Sequence, residues 1–262
     1  QLIQRFVTSN PSPAYIERVS NSFGEKGDLT SVIKAILLDP EARNPNVASS
    51  VTFGKVKEPV LQLTATMRLL QVSSGIPFDD TSSPLYPLKD KYDPGASLLR
   101  MNMQNLGQYT LGAPSVFNFY LPDFSPSGEM SGQSLVAPEI QLMTESQLFT
   151  TMNNYNSMVN GNRYFQGTLD YSNMSAEDLK IKLSDSRLQE VADSVLDSNQ
   201  AKAEAMVDYL DFYLNAGKIK YTNNTAVRDA LVQGILSATD DTKRFKDIIY
   251  AINVTPDFIV QQ

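Results

Sequence analysis

Residues 112–139 constrain this chain more than any other stretch. Pro114, Pro122, Pro126 and Pro138 fix φ and remove backbone donors, so no continuous helix runs through them. The same stretch carries Phe117, Phe119, Tyr120 and Phe124 close together. Loops are ordinarily polar and thin in aromatics. A loop with this many rings is expected to bury them, so the stretch reads as a packed belt laid across a body built from other elements.

That body reads as helical. Leu2, Ile3, Phe6 and Val7 share one helical face, and Thr8-Ser9-Asn10-Pro11 stops the helix. Ser12 caps the next one with Pro13 at its first position, and Tyr15, Ile16, Val19 and Phe23 form its apolar stripe. Gly24 and Gly27 end it. Asp28 caps a third helix over 29–38, with Val32, Ile33, Ile36 and Leu37 inward, and residues 39–43 read as a short capped turn. Residues 44–54 are polar and suit a surface loop. Glu58-Pro59 opens a helix to about residue 73, with Arg68 near its apolar side, where it either snorkels or pairs. The Pro-, Asp- and Ser-rich residues 74–94 mark a long excursion, followed by a short helix over 97–106. Residues 136–159 read as one long helix begun by Pro138 and Glu139, weakened at its end by Asn153, Asn154, Asn156, Asn160 and Asn162. Residues 164–169 are the only strand candidate. Further helices are expected over 176–183, 188–196, 201–214, 225–237 and 242–253, before a last turn from Thr255-Pro256 that carries Phe258 and Ile259. The expectation is an all-α array of about ten helices in a single domain over 1–262, with a candidate sub-boundary near 160–175.

Composition narrows the chemistry. A formal charge of −7 and no cluster of Lys and Arg argue against a nucleic-acid backbone as partner. With no Cys and no His, the chain offers no thiolate and lacks the commonest general base and transition-metal ligand. Any chemistry falls to Asp, Glu, Tyr, Lys, Arg or Asn. A metal, if present, should be a hard oxygen-seeking cation, and no cofactor is implied. No apolar run is long enough to span a bilayer, and no signal peptide is present. Gln1 already reads as the inside of a helix, so a longer chain is expected, and the missing signal says little about location.

Several blocks spread over the chain resemble one family. They are Leu2-Ile3-Gln4-Arg5-Phe6-Val7 through Tyr15, Gly27-Asp28-Leu29, and Ala35-Ile36-Leu37-Leu38-Asp39-Pro40-Glu41-Ala42-Arg43. Gly54-Lys55-Val56-Lys57-Glu58-Pro59, Ala113-Pro114-Ser115-Val116-Phe117-Asn118-Phe119-Tyr120 with Pro122, Ala137-Pro138-Glu139, and the closing Thr255-Pro256-Asp257-Phe258 with Gln261 continue the pattern. Together they are similar to the bacterial family catalogued as domain of unknown function 1800. The resemblance implies a longer protein whose N-terminal half carries His- and Trp-rich blocks, with this chain as the C-terminal half. It also implies export from the cell (periplasmic, outer-membrane-associated or extracellular) and a gene neighbour resembling sulfatases as a candidate partner. It implies no reaction and no catalytic residue.

The candidate binding residues each carry two readings. Asn118, Tyr120 and Asp123 either grip a sugar or a cation beside the rings, or satisfy loop backbone groups. Glu58 and Glu139, each beside a proline at a helix start, could do paired acid–base work or simply face their own helix N-termini. Arg68, if inward, pairs with one of them. Asp79, Asp80, Asp90 and Asp93 could hold calcium but match no EF-hand spacing, which favours a solvated loop. Asn173, Asn223 and Asn253 begin chance glycosylation sequons. Two functions follow: a non-catalytic component of an exported assembly, with a protein or a glycan as partner, or a polysaccharide-directed hydrolase whose catalytic His or metal ligands lie outside this chain.

Overall fold

The computed structural model describes residues 1–74, 106–159, 181–221, 225–238 and 241–261, apart from residues 26, 49, 51, 72, 110, 117, 183 and 185. The expected strand at 164–169, the sub-boundary near 160–175, the helix over 97–105, Phe117, and Asp79, Asp80, Asp90 and Asp93 lie outside these residues. The class is all-α, as expected. Fourteen α-helices occur among the described residues, five of them single turns of four residues. The chain divides into two compact units: residues 1–58, 113–144 and 260–262, and residues 59–112 and 145–259.

Unit 1 begins with helices Leu2–Phe6, Pro13–Asn21 and Leu29–Leu38, then the single turns Pro40–Arg43 and Pro45–Ala48. The caps are those read from the sequence. Ser12 Oγ accepts the Tyr15 amide and Asp28 accepts the Thr30 amide. Replacing Ser12 with alanine is expected to cost about 1 kcal/mol of unit 1 stability, with Ser12→Thr close to wild type, measured as the shift of a denaturant midpoint. Asp39 caps Pro40–Arg43 and receives two hydrogen bonds from the Arg18 guanidinium, each 2.7 Å. That hydrogen bonding holds the Asp39 carboxyl below the usual carboxylate range.

The core of unit 1 is small: Ile3, Tyr15, Val19, Val32 and Ile36. Its seam takes an i, i+4 pair from each of Pro13–Asn21 and Leu29–Leu38, so Ile16, Phe23, Ile33 and Leu37, expected inward, are exposed. A helix facing a single thin layer buries only a narrow stripe, and the remaining apolar positions stay outside. Two short strands complete the unit. Lys55–Val56 pairs antiparallel with Val260–Gln261, with Lys55 opposite Gln261 and Val56 opposite Val260.

The belt belongs to unit 1 and departs from expectation. Tyr120 is buried, but Phe119 and Phe124 are only half-buried, and Val116 is 96% exposed. Polar side chains, more than rings, hold its backbone. Gln4 Nε2 donates to the Pro122 carbonyl at 3.1 Å, and Gln141 Oε1 accepts the Leu121 amide at 2.8 Å. Asn10 clasps Val136 on both sides, donating to its carbonyl at 2.9 Å and accepting its amide at 2.8 Å. These bonds satisfy backbone groups that an irregular segment otherwise leaves unpaired. The single helix expected over 136–159 is broken. Pro138–Leu142 is a 3₁₀ turn, Met143 leaves helical geometry at φ −101° and ψ 53°, and a separate helix runs over Glu145–Val159.

Unit 2 contains helices Pro59–Leu69, Glu145–Val159, Ser186–Ser194, Asn199–Asn215, Lys218–Tyr221, Thr225–Ser237, Asp241–Asn253 and Pro256–Ile259. Their apolar faces meet in one large cluster that includes Leu63, Tyr155, Leu210, Ile249 and Phe258. Asn199–Asn215 starts at an N-cap on Ser198 and ends where Ala216 turns left-handed at φ +56°. Buried Asp211 then accepts the Ile219 and Lys220 amides, which starts the next turn. Ile181–Lys182, expected at the end of a helix, forms a two-residue strand antiparallel to Ser73–Ser74. The expected sequon at Asn253 is closed to modification, because that residue is buried and accepts a hydrogen bond from Thr66 Oγ1 at 3.1 Å.

Candidate functional site

The site assembles in unit 1 from three separated pieces of chain. The Leu2–Phe6 helix brings Arg5, the strand at Lys55–Val56 brings Lys55 and leads into Glu58, and the belt brings Tyr120 and Glu139. Arg5 donates to both the Glu58 carboxylate and the Tyr120 hydroxyl, with its guanidinium carbon 5.1 Å from the Tyr120 ring centre. Lys55 Nζ sits 3.0 Å from Glu139 Oε1 and donates to the Arg5 carbonyl at 2.8 Å. The side chains of Lys55 and Glu139 are 1% and 2% exposed. Two cations and two carboxylates are thus interleaved, each carboxylate matched by one cation. Charges this deeply buried are tolerated only when paired in this way.

Environment shifts two of these groups and a neighbouring lysine. Burial, reinforced by the Glu58 charge, pushes the Tyr120 phenol far above its ordinary value, against the pull of Arg5. For Arg5 burial works downward, yet the hydrogen bond and charge of Glu58 outweigh it and raise the guanidinium. Lys57, two residues along the chain from Lys55 and also buried, is pushed down by burial to about 8. Below pH 8 its ammonium is charged in folded and unfolded chains alike, so this group adds no pH dependence there. Between about 8 and the unfolded value of about 10.4, only the unfolded chain keeps the proton, so stability gains from this group as pH rises through that window. Across pH 7, 8 and 9 the denaturant midpoint of the wild type is expected to rise relative to that of Lys57→Met, which lacks the titrating group.

Beside this cluster lies a cavity of about 280 Å³. Arg5, Asn118, Tyr120 and Glu139 supply polar lining, and Val116 and Pro122 supply apolar edges. Asn118 closes a tight turn, its amide donating to the Ser115 carbonyl at 3.2 Å, and adopts φ +77°. Asn tolerates that left-handed conformation better than most residues. Glu139 Oε2 is buried and finds no hydrogen-bond partner among the described residues.

Of the six binding candidates, Asn118, Tyr120 and Glu139 line this cavity, and Glu58 braces it through Arg5. Asp123 is exposed and does not line it. Arg68 is exposed in unit 2, where it lines a separate hollow with Arg187, Tyr209 and Tyr213, and the pairing expected of it falls to Arg5 for Glu58 and Lys55 for Glu139. Arg5 and Lys55 were missed as site residues. Arg5 sits in a short apolar helix where a charge reads as solvated. Lys55 carried a signal, the alternation Lys55-Val56-Lys57 ahead of Glu58-Pro59, which puts both amines on one side of a strand. Among the described residues, no group of three Asp or Glu is placed to hold a metal ion, and no helix is long and apolar enough to cross a membrane.

An all-α chain with a mixed-charge cavity beside a proline-rich belt defines the class, and the comparisons define the family. A family profile described as "Protein of unknown function (DUF1800)" matches residues 1–260. The chain belongs to that family. No curated protein and no solved structure matches it.

Proposed function

We propose that this chain is a non-catalytic binding component of an exported assembly, working in the cell envelope or outside the cell, with a protein or a glycan as partner. One observation carries the reading: the carboxylate lining the cavity and the one bracing it are each paired with a cation, Glu139 with Lys55 and Glu58 with Arg5. A carboxylate already bonded to a cation is not free to approach a substrate's reacting atom. The Tyr120 phenol is driven the wrong way to serve as a base. Such a site can orient and hold a ligand, but it is poorly equipped to move a proton. The resemblance read from the sequence supports an exported location, and the acidic, Cys-free composition is compatible with it.

A polysaccharide-directed hydrolase is the second reading. It is favoured by the placement of Asn118, Tyr120 and Glu139 on one cavity. It needs a His or a metal site from beyond these residues. Both readings are tested in the bacterium that makes the protein. The native, tagged protein is expected in periplasmic, outer-membrane or extracellular fractions, in a complex heavier than the chain alone. It should leave neutral polysaccharides uncleaved. A cytoplasmic protein, or polysaccharide cleavage lost on Glu139→Gln, overturns the proposal.

A further inference from the structure

We infer that the hollow in unit 2 lined by Arg68, Arg187, Tyr209 and Tyr213 binds an acidic glycan through a carboxylate-bearing sugar ring, a uronic acid. No residue of the unit 1 cavity takes part, and the inference stands without the role proposed above.

Three helices each turn one face to the hollow. Pro59–Leu69 contributes Arg68 and Leu69, Ser186–Ser194 contributes Arg187, Glu190 and Val191, and Asn199–Asn215 contributes Tyr209 and Tyr213. Spacings of three and four residues keep each set on one side of its helix. The ring centres of Tyr209 and Tyr213 lie 4.7 Å apart with planes tilted by 51°, and Tyr213 is 58% exposed. Phe212 meets Tyr213 edge-on at 5.1 Å, which steadies the exposed ring. The negative π face of such a ring attracts the weakly positive C–H groups on one side of a sugar.

Charge then selects the sugar. The chain carries 29 acidic and 22 basic side chains, yet this hollow sets two arginines against one carboxylate. Glu190 Oε2 accepts from Arg187 Nη1 at 2.8 Å, so those two charges are matched. Arg68 is exposed and forms no ion pair among the described residues. The acids that flank the tyrosines on their own helix are engaged elsewhere: Asp208 with Lys220 and Arg228, Asp211 with the Ile219 and Lys220 amides. What remains is one unmatched guanidinium, whose planar fork suits a carboxylate gripped through both oxygens. A uronic acid carries both complements on one ring: the carboxylate for Arg68 and a C–H face for the tyrosines. Its hydroxyls can donate to Glu190 and accept from the Gln71 carboxamide, which lines the same hollow. A run of acidic peptide side chains would set further carboxylates against Glu190 and offers no ring face. The volume of about 640 Å³ exceeds that of a single sugar ring, so the hollow suits a short stretch of glycan.

The test uses the native full-length protein and titration calorimetry with digalacturonate and a mannuronate disaccharide. Cellobiose serves as the neutral comparator and a polyglutamate peptide as the acidic one. At least one uronide is expected to bind, with each comparator about tenfold weaker or more. Arg68→Gln alters an exposed side chain outside any ion pair, so its melting temperature should match wild type while uronide binding falls about tenfold or more. Tyr213→Leu keeps apolar bulk but removes the ring, and should weaken binding about fivefold. The inference is overturned if neither uronide binds, if cellobiose binds as tightly, or if either variant leaves binding intact. Polyglutamate binding as tightly as the uronides also overturns it and marks the hollow as a surface for acidic peptides. Where the protein resides in the cell bears on the role proposed above and leaves this inference untouched.

Discussion

Lys55→Ala is expected to destabilise unit 1 by about 3–5 kcal/mol, the range seen when one partner of a buried ion pair is removed. The ammonium is 1% exposed, lies 3.0 Å from Glu139 and also donates to the Arg5 carbonyl. Its loss leaves Glu139 with both oxygens unsatisfied in a site water barely reaches. The converse Glu139→Ala strands the ammonium and should cost a similar amount. Replacing the pair together, as Lys55→Met with Glu139→Leu, removes both charges and keeps the volume, so most of the loss should return. A double-mutant cycle by guanidinium denaturation checks this. Because the chain has no Trp, helical circular dichroism follows the transition. Equal, additive losses in the double variant would show that the two side chains act independently.

Phe258→Ala is expected to cost unit 2 about 3–5 kcal/mol, the usual range for truncating a buried phenylalanine. Phe258 is fully buried and meets Tyr155 edge-on, with ring centres 6.4 Å apart and planes at 80°. It is held in place by its own turn, where Thr255 Oγ1 accepts the Phe258 amide at 3.2 Å. The cavity left behind is walled by several helices, which cannot all relax inward. The control is Phe212→Ala. That ring is 61% exposed, and its truncation should stay within about 0.5 kcal/mol, apart from its edge contact with Tyr213. Matching losses at the two positions would contradict the packing described for unit 2.

Local rules carried the sequence reading where local chemistry decides structure. Ser12 with Pro13, Asp28 ahead of its helix, and Thr255 with Pro256 mark helix starts through side chains that bond within three residues. The readings failed where distant groups decide. Arg5 and Glu58 are 53 residues apart, and Gln4 reaches Pro122 across 118. No periodicity encodes such partners. The belt misled in an instructive way. Its rings implied burial, but Asn10, Gln4 and Gln141 tether its backbone, which frees Val116 to face solvent. Pro138 was legible as a start signal. What followed was a 3₁₀ turn, because the geometry at Met143 interrupts a pattern that composition alone would continue. Of the site, Asn118, Tyr120 and Glu139 were legible from residue type and company, whereas the cations that neutralise the carboxylates were not.

The pairing of Lys55–Val56 with Val260–Gln261 also sets an order of events during synthesis. A ribosome finishes residues 1–58 and 113–144 long before it reaches residue 260, so the strand that carries Lys55 waits, edge open, for its mate. This two-residue pairing therefore forms only after translation has passed that point. Until then the nascent chain presents an unpaired edge, the kind of surface that chaperones shield.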